Sequence, residues 1–161
     1  MALDFTVVIN VRQRFGDTEA DDVGLEMEAP FVGAQKDYSF RCPQVDPAES
    51  ALLVYQSQGV NVRQAMTING PEIFGGIPPS IDFGAIPSSG TFPGQAFVRA
   101  MWVGNIMLVH QGVLREENTL RIQAGSSGNG NLDNFIIDNL VVLFKTRRQG
   151  PVIGLGEVVR P

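Results

Sequence analysis

Length, composition and charge limit the classes of protein to which this chain can belong. It has 161 residues, 43% hydrophobic and 18% charged, which suits one domain with a sizeable core but not two. Its formal net charge of -5 disfavours binding to a nucleic-acid backbone, which needs clustered lysines and arginines. No stretch is long and apolar enough for a membrane helix. We therefore expect neither nucleic-acid binding nor membrane insertion.

The start of the chain and its cysteine content indicate the cellular compartment in which the protein is made. The opening residues, MALDFTVVINVRQRF, lack the basic start and apolar core of a secretory signal. We expect synthesis in the cytoplasm, followed by association with a particle or by release without a signal. Cys42 is the single cysteine, so no intramolecular disulfide is expected. We interpret Cys42 as a small core residue rather than a reactive thiol.

In chain order, the hydrophobic pattern predicts short β-strands. Phe5, Val7, Ile9 and Val11 alternate with polar residues, which indicates an opening strand with one apolar face. The Asn69-Gly70 pair suits the two positive-φ positions of a type I′ turn and predicts a tight hairpin. The other strand candidates before residue 114 are residues 38–41, 51–56, 65–68, 72–74, 97–102 and 105–110.

Residues 114–145 contain two strands of different burial. Thr119 to Gln123 alternate between polar and apolar, the period of a sheet with one wet face. Residues 135–144 contain eight apolar residues in ten, which indicates a central strand. Asp138 interrupts it, and we expect its carboxylate to accept backbone amides near the loop at 128–134. With no helical period anywhere, the pattern predicts an all-β fold, an antiparallel β-sandwich of jelly-roll type.

A long loop and a tail are the expected contact segments. Residues 75–95 are rich in glycine and proline yet carry more apolar side chains than a solvated linker needs. The loop therefore packs either on its own sandwich or on a neighbour. We assign residues 1–148 to one domain and residues 149–161 to an extended tail. The predicted partner-binding residues are Ile77, Ile81, Phe83, Ile86, Phe92, Arg147 and Arg148.

Charge is distributed unevenly, with an acidic run at residues 17–28 and basic residues near the C-terminus. Head-to-tail pairing of subunits is one interpretation, and two independently solvated segments is the favoured one. The acidic run partly fits a calcium-loop template, but Asp22 stands where the template needs glycine, which excludes an EF-hand. A solvated loop is again the default. Calcium is the one cofactor considered, and its candidate ligands are Asp17, Glu19, Asp21 and Asp138.

No catalytic constellation stands out. His110 is the single histidine, which excludes multi-histidine metal centres, and we interpret it as a partly buried structural residue. No Gly-x-Ser-x-Gly motif is present. The loop GSSGNGN lacks the Lys-Ser/Thr of a phosphate-binding loop. A hydrolase or lyase stays a third choice, because two carboxylates can meet from any positions in a sequence.

Three short motifs carry a family resemblance. They are Thr67-Ile68-Asn69-Gly70, the L-x-x-x-N-T-L-x-I pattern of residues 114–122, and the strand FIIDNLVV at 135–142. Together they resemble the galactose-binding-domain-like jelly rolls that accompany many glycoside hydrolases, over about residues 50–145. The resemblance implies a carbohydrate-binding β-sandwich with exposed aromatic platforms. Trp102 and Tyr55 are the candidate ligand-binding residues, with core packing as the alternative for Trp102.

Two hypotheses of function follow. The first is a non-catalytic structural or adhesive subunit that contacts copies of itself or other proteins in a larger assembly, such as a particle, tail or appendage. It rests on the missing catalytic constellation, the apolar loop, the extended tail and the absence of a secretion signal from an extracellular type of fold. The alternative is a carbohydrate-binding module, assisted by calcium, with a glycan as partner.

Overall fold

The computed structural model of the protein describes residues 2–17, 28–70, 77, 102–128 and 130–147. Eleven strands form within them, and none of these residues is helical. The strands are β1 (Ala2–Ile9), β2 (Gln13–Phe15), β3 (Phe31–Gly33), β4 (Gln35–Arg41), β5 (Ala51–Gln58), β6 (Ala65–Ile68), β7 (Trp102–Val109), β8 (Glu117–Gln123), β9 (Ser126–Gly128), β10 (Asn131–Leu132) and β11 (Phe135–Thr146). In the part of the chain covered by these ranges, no helix could cross a membrane.

Two sheets make the sandwich. The larger has six strands in the order β3-β2-β11-β5-β7, with β1 pairing with β11 beyond the end of β2. The smaller has the order β4-β8-β6, and β9 and β10 form a separate hairpin. Every pairing is antiparallel except that of β2 with β3. Because successive strands from β3 to β8 alternate between the sheets, the predicted antiparallel jelly-roll sandwich is confirmed.

The core lies between the two sheets and matches the alternation read from the sequence. In β8, Leu120 and Ile122 are fully buried and their neighbours are exposed. Strand β11 is central, as predicted, with β5 on one side and β1 and β2 on the other. Cys42 is also fully buried, and its burial raises the pKa of the thiol to about 12. Cys42 is therefore the core residue that the sequence indicated.

A bulge in β11 reverses which residues face the core. Its register against β5 shifts between Asp138 and Val141, and Asn139 has a φ of 50°. Before the bulge Ile137 belongs to the main core, whereas after it Leu140 and the alternate residues that follow do so. The one-residue shift lets both halves of a long strand bury apolar side chains against the sandwich.

The two asparagine motifs of the sequence meet at one corner of the sandwich. Asn69 Nδ2 donates to Asn118 Oδ1 at 2.9 Å, and Thr119 N donates to Asn69 Oδ1 at 3.0 Å. Asn69 and Gly70 have φ values of 55° and 100°, the positive values that the sequence predicted. The returning strand predicted at 72–74 lies outside the described residues. The motifs thus fasten the end of β6 to the start of β8.

Two sequence interpretations need correction. The opening strand forms, but much of its apolar side lies at the surface, with Phe5 61% and Val7 49% exposed. A register shift between Val7 and Ile9 then buries Ile9. His110 is exposed rather than partly buried, because β7 ends at Val109 and the chain turns immediately afterwards.

Candidate functional site

An apolar surface lies on the outer side of the six-stranded sheet, away from the sandwich core. It is built from residues of β1, β5, β7 and β11 whose chain neighbours point inward. We call this set the apolar face, and its nine members are Leu3, Phe5, Val7, Leu52, Val54, Ile106, Leu108, Val141 and Leu143.

Strand register arranges eight of these residues in two adjacent rows across four strands. The first row runs Phe5, Leu143, Leu52, Leu108. The second row runs Val7, Val141, Val54, Ile106. Directly opposed side chains on one side of a sheet touch each other, so the rows form one continuous apolar surface.

Exposure on the apolar face is high although the strands themselves are well packed. Leu3 is 72% and Ile106 70% exposed, the largest fractions among the large hydrophobic residues of the described chain. In the same strands the alternate residues Leu53 and Met107 are buried against the smaller sheet. In β5 and β7 the exposure is therefore a property of one side of an ordered sheet, whereas in β1 both sides of Ala2–Phe5 are exposed.

Polar pairs close the apolar face at both ends of its strands. At one end Lys145 Nζ lies 2.7 Å from Glu49 Oε2. At the other end Asn139 Nδ2 donates to Gln56 Oε1 at 3.1 Å. Among the described residues, the side chains of the apolar face between these pairs are all uncharged. An apolar centre with a polar rim is the usual composition of a protein–protein contact surface.

Beyond the bulge, the same side of the sheet is covered by the chain itself. Ile136 is fully buried in a small cluster with Ala29 and Trp102. The Arg12 guanidinium lies 5.3 Å from the centroid of the Trp102 ring, and its Nε is 3.5 Å from Asp138 Oδ2. The outer side of the larger sheet is thus covered near one end and bare at the apolar face.

Asp138 differs from expectation in its partners. Its carboxylate accepts the Asn139 amide at 2.8 Å and pairs with Arg12, rather than accepting amides of the 128–134 loop. The reason is the strand alternation before the bulge, since Ile137 faces the core and Asp138 therefore points to the outer side of the sheet, where Arg12 lies. The contacts of this carboxylate are thus with Asn139 and Arg12, and its candidacy as a calcium ligand stays a prediction.

The two candidate ligand-binding aromatics do not form a site. Tyr55 is only 1% exposed, and its hydroxyl donates to Met107 Sδ at 3.3 Å inside the core. Trp102 is half-buried on the opposite face of the sheet, with Arg12 over its ring. The assignment of Tyr55 to a ligand is therefore wrong, because its place in the β5 alternation points it inward.

The four candidate calcium ligands are only partly described. Asp17 Oδ2 accepts the Leu132 amide at 2.8 Å, which ties this carboxylate to the β9–β10 hairpin. Glu19 and Asp21 lie outside the described residues. Among those that are described, no group of three metal-ligating side chains is present. Calcium binding stays a prediction.

The predicted partner-binding residues are also only partly described by the structure. Ile77 is fully buried and forms an antiparallel bridge with Gln64, so its side chain belongs to the chain's own core and is not open to a partner. Arg147 is exposed and its Nε lies 4.0 Å from Asp46 Oδ1. Four apolar members and one basic member lie outside the described residues: Ile81, Phe83, Ile86, Phe92 and Arg148.

Asp133 is a buried carboxylate that sequence reasoning missed. It is 2% exposed, and its Oδ2 accepts the amides of Asn61 and Val62 at 2.8 and 3.1 Å. Gln64 Nε2 donates to the same oxygen at 2.7 Å. The one signal in the sequence was a carboxylate between a glycine-rich loop and an apolar strand, which does not reveal its partners.

The outer side of the smaller sheet is polar. Arg121 forms a two-point ion pair with Asp37, at 2.7 and 2.8 Å, which holds the pKa of the Asp37 carboxyl below its usual value. Beside it is an open depression whose polar lining includes Ser39, Arg41 and Glu117. The two outer sides of the sandwich therefore differ in chemistry.

Comparison with known proteins gives a limited result. No protein-family model and no curated protein matches the chain. Solved structures that match include a variant of BuGH86 in complex with neoagarooctaose, at 10% identity and a TM-score of 0.40, over 88% of this chain and 18% of that one. Wild-type BuGH86 in complex with neoagarooctaose matches at the same identity and TM-score, over 91% and 20%. The chain spans about a fifth of the length of these structures.

Proposed function

We propose that this chain is a non-catalytic structural subunit of a larger assembly and that the apolar face is its contact surface. The two continuous rows of apolar side chains, five of them exposed and three half-buried, carry the proposal. Soluble monomers rarely expose large contiguous apolar patches, and those with a polar rim usually mark contact sites. Covering these side chains would contribute on the order of 1 kcal/mol each, since each is already partly buried.

The engagement of the carboxylates supports a structural role. Asp133 is occupied by amide donors, Asp17 by the Leu132 amide, and Asp138 by Arg12. Asp37 is occupied by Arg121. A carboxylate that acts as a general acid or base has to reach a substrate, and these four are engaged in fastening segments of the fold to each other.

Site-specific photo-cross-linking in the cells that make the protein tests the proposal. A photoreactive phenylalanine analogue at Ile106 should give cross-links to protein, because Ile106 lies in the apolar face. The matched control carries the analogue at Thr119, an exposed strand residue on the polar side of the smaller sheet. Equal or no cross-linking at the two positions would refute the apolar face as a contact surface.

Carbohydrate binding is the second candidate, and the depression on the smaller sheet favours it. Arg41 and Glu117 are opposite each other in the β4–β8 ladder, and Ser39 and Thr119 lie beside them. Such side chains can donate to and accept from sugar hydroxyls. Glycan-array binding with and without chelator should then give a signal that Arg41→Ala and Glu117→Ala remove. Silence in both conditions would count against the candidate.

A further inference from the structure

We propose that the partner covering the apolar face is a second copy of this chain, packed face to face across a two-fold axis. This inference rests on the proposed function and names its partner. The contact would bring together the rows that contain Leu52 and Val54 of each copy.

Sheet geometry favours a partner of the same shape. Two sheets pack face to face about 10 Å apart, with strand directions within about 30° because both are twisted. A second apolar face has the same twist and the same side-chain spacing. The apolar face would not pack against the outer side of a second copy's smaller sheet, because the charged pair of Arg121 and Asp37 there would be pressed against apolar side chains.

Charge also permits a contact between identical surfaces. A two-fold contact places the same groups on both sides, so any uncompensated charge in its centre would face its own kind. The nine residues of the apolar face are uncharged. At the rim, Lys145 is neutralised by Glu49 within the chain, and Asn139 is bonded to Gln56. The apolar face and these rim pairs thus contribute no net charge to the proposed contact.

The size of the surface is sufficient for a specific dimer. Two rows about 6.8 Å apart on four strands about 4.8 Å apart give a face of roughly 20 by 14 Å, which Leu3 extends at one corner. Pressing two such faces together would remove on the order of 1,000 Å² of accessible surface, where specific interfaces begin. The cover over Ile136 limits the contact at one end, so the partner must be confined to the apolar face.

Sedimentation equilibrium of the purified full chain tests the inference. The wild type should dimerise reversibly, and Ile106→Glu should raise the dissociation constant at least about 100-fold, because burying an unpaired carboxylate is costly. Thr119→Glu adds the same charge on the polar side and should change the constant less than about 3-fold. Circular dichroism checks folding, and the milder Ile106→Thr serves if the glutamate variant does not fold.

Mixing of charged variants tests the two-fold arrangement itself. Leu52 lies on an inner strand of the apolar face, close to any two-fold axis through its centre. Leu52→Glu and Leu52→Lys should each be monomeric alone and should form a mixed dimer when combined. If the mixture remains monomeric, the face-to-face arrangement is wrong.

The remaining outcomes separate this inference from the proposed function. A wild type that stays monomeric at millimolar concentration, or a dimer that Ile106→Glu leaves intact, overturns the second-copy assignment. Cross-links from Ile106 to a different protein would then still support the structural-subunit proposal. Cross-links from Ile106 to the same chain, together with a dimer sensitive to Ile106→Glu, support both.

Discussion

At the scale of single residues, buried polar side chains act as joints between segments distant in the chain. Asp133 gathers donors from residues 61–64, and Gln64 Oε1 accepts the Gly125 amide at 2.5 Å. Asn69 and Asn118 join two further segments. Each joint satisfies backbone groups that a loop cannot pair by itself, so its removal leaves several buried donors without an acceptor.

The first prediction concerns the Asp133 joint. Asp133→Ala should lower the free energy of unfolding by about 3 kcal/mol, because it leaves the buried Gln64 side-chain amide and the part-buried amides of Asn61 and Val62 without their acceptor. Asp133→Asn should cost less, since one oxygen remains. Denaturant titration measures both. Asp37→Asn is the control, and it should change little because that ion pair is exposed. Equal effects at positions 133 and 37 would contradict the assigned role of Asp133.

The second prediction concerns alkaline stability. Burial raises the pKa of the Cys42 thiol to about 12 from an ordinary value of 9.0, and it raises those of Tyr38 and Tyr55 above their ordinary 10.0. The unfolded chain therefore releases protons that the folded chain retains. The contribution of these three groups to stability should be constant below about pH 9, and stability should fall as the pH rises further, by about 1.4 kcal/mol per pH unit for each ionised group.

Tyr55→Phe isolates one of these groups. Above about pH 10, the free energy of unfolding of the variant should fall less steeply with pH, by one such contribution. At neutral pH the variant should differ little in stability, because the hydroxyl there contacts Met107 Sδ. Denaturant midpoints measured from neutral to alkaline pH give the slope. An unchanged alkaline slope would mean that the Tyr55 hydroxyl titrates normally in the folded protein.

At the scale of elements, the positions of strands followed from the sequence better than their orientation. Alternation in β8 and the apolar run of β11 predicted one half-buried and one central strand, since each pattern has one physical explanation in a sandwich. The apolar side of β1 was recognised, but period-2 alternation shows only that one side differs from the other. Whether Phe5 faces the core or solvent depends on what lies above it.

The bulges and the site residues could not be predicted from the sequence, because both depend on how the strands pair. A bulge at Asn139 depends on the register against β5, which a single strand does not encode. Trp102 and Tyr55 were grouped by residue type, whereas their positions in the ladder place them on opposite faces. The apolar face itself arises from four strands distant in sequence, so only the pairing pattern shows it as one surface.

The third prediction tests the junction that follows β2. Gly16 has a φ of 126°, and a Cβ there would overlap Asn134 Oδ1 and lie 2.9 Å from Asn134 Cα. That oxygen also accepts the Asp17 amide at 2.9 Å. Gly16→Ala should therefore destabilise the protein by about 3 kcal/mol or more, through backbone strain and the lost hydrogen bond together.

Gly33→Ala provides the matched control. Gly33 also has a positive φ, 93°, but no atom lies within 4 Å of its Cβ position. Gly33→Ala should lower the free energy of unfolding only through backbone strain, by about 1 to 2 kcal/mol. Thermal or denaturant unfolding of the two variants gives the difference. Equal costs would mean that the close approach of Asn134 contributes nothing at this junction.

At the scale of the whole molecule, the sandwich has one polar outer side and one that is partly apolar. The polar side carries the ion pair of Arg121 and Asp37, and the other carries the apolar face. This asymmetry suits a subunit that contacts its neighbour with one sheet and faces solvent with the other. It also separates two modes of association, contact through the apolar face and head-to-tail pairing of the acidic run with the basic tail.

The fourth prediction uses salt to distinguish these modes. Head-to-tail pairing of charges would weaken strongly as sodium chloride rises from about 0.05 to 0.5 M, because the screening length falls to a few ångströms. Lys145 and Arg147 already lie beside Glu49 and Asp46 of their own chain, which reduces what they can offer another subunit. Packing of apolar faces should change the dissociation constant less than about 3-fold over this range, and sulfate should strengthen it.

Sedimentation equilibrium at several salt concentrations measures the effect. Calorimetric dilution of the dimer at several temperatures gives an independent criterion, the heat capacity change of association. Removal of apolar surface from water makes the heat capacity change of association negative, whereas pairing of surface charges lacks this signature. A dimer that dissociates in high sodium chloride and has no negative heat capacity change would assign association to the charged segments. In that case the apolar face would have to be covered by a different protein.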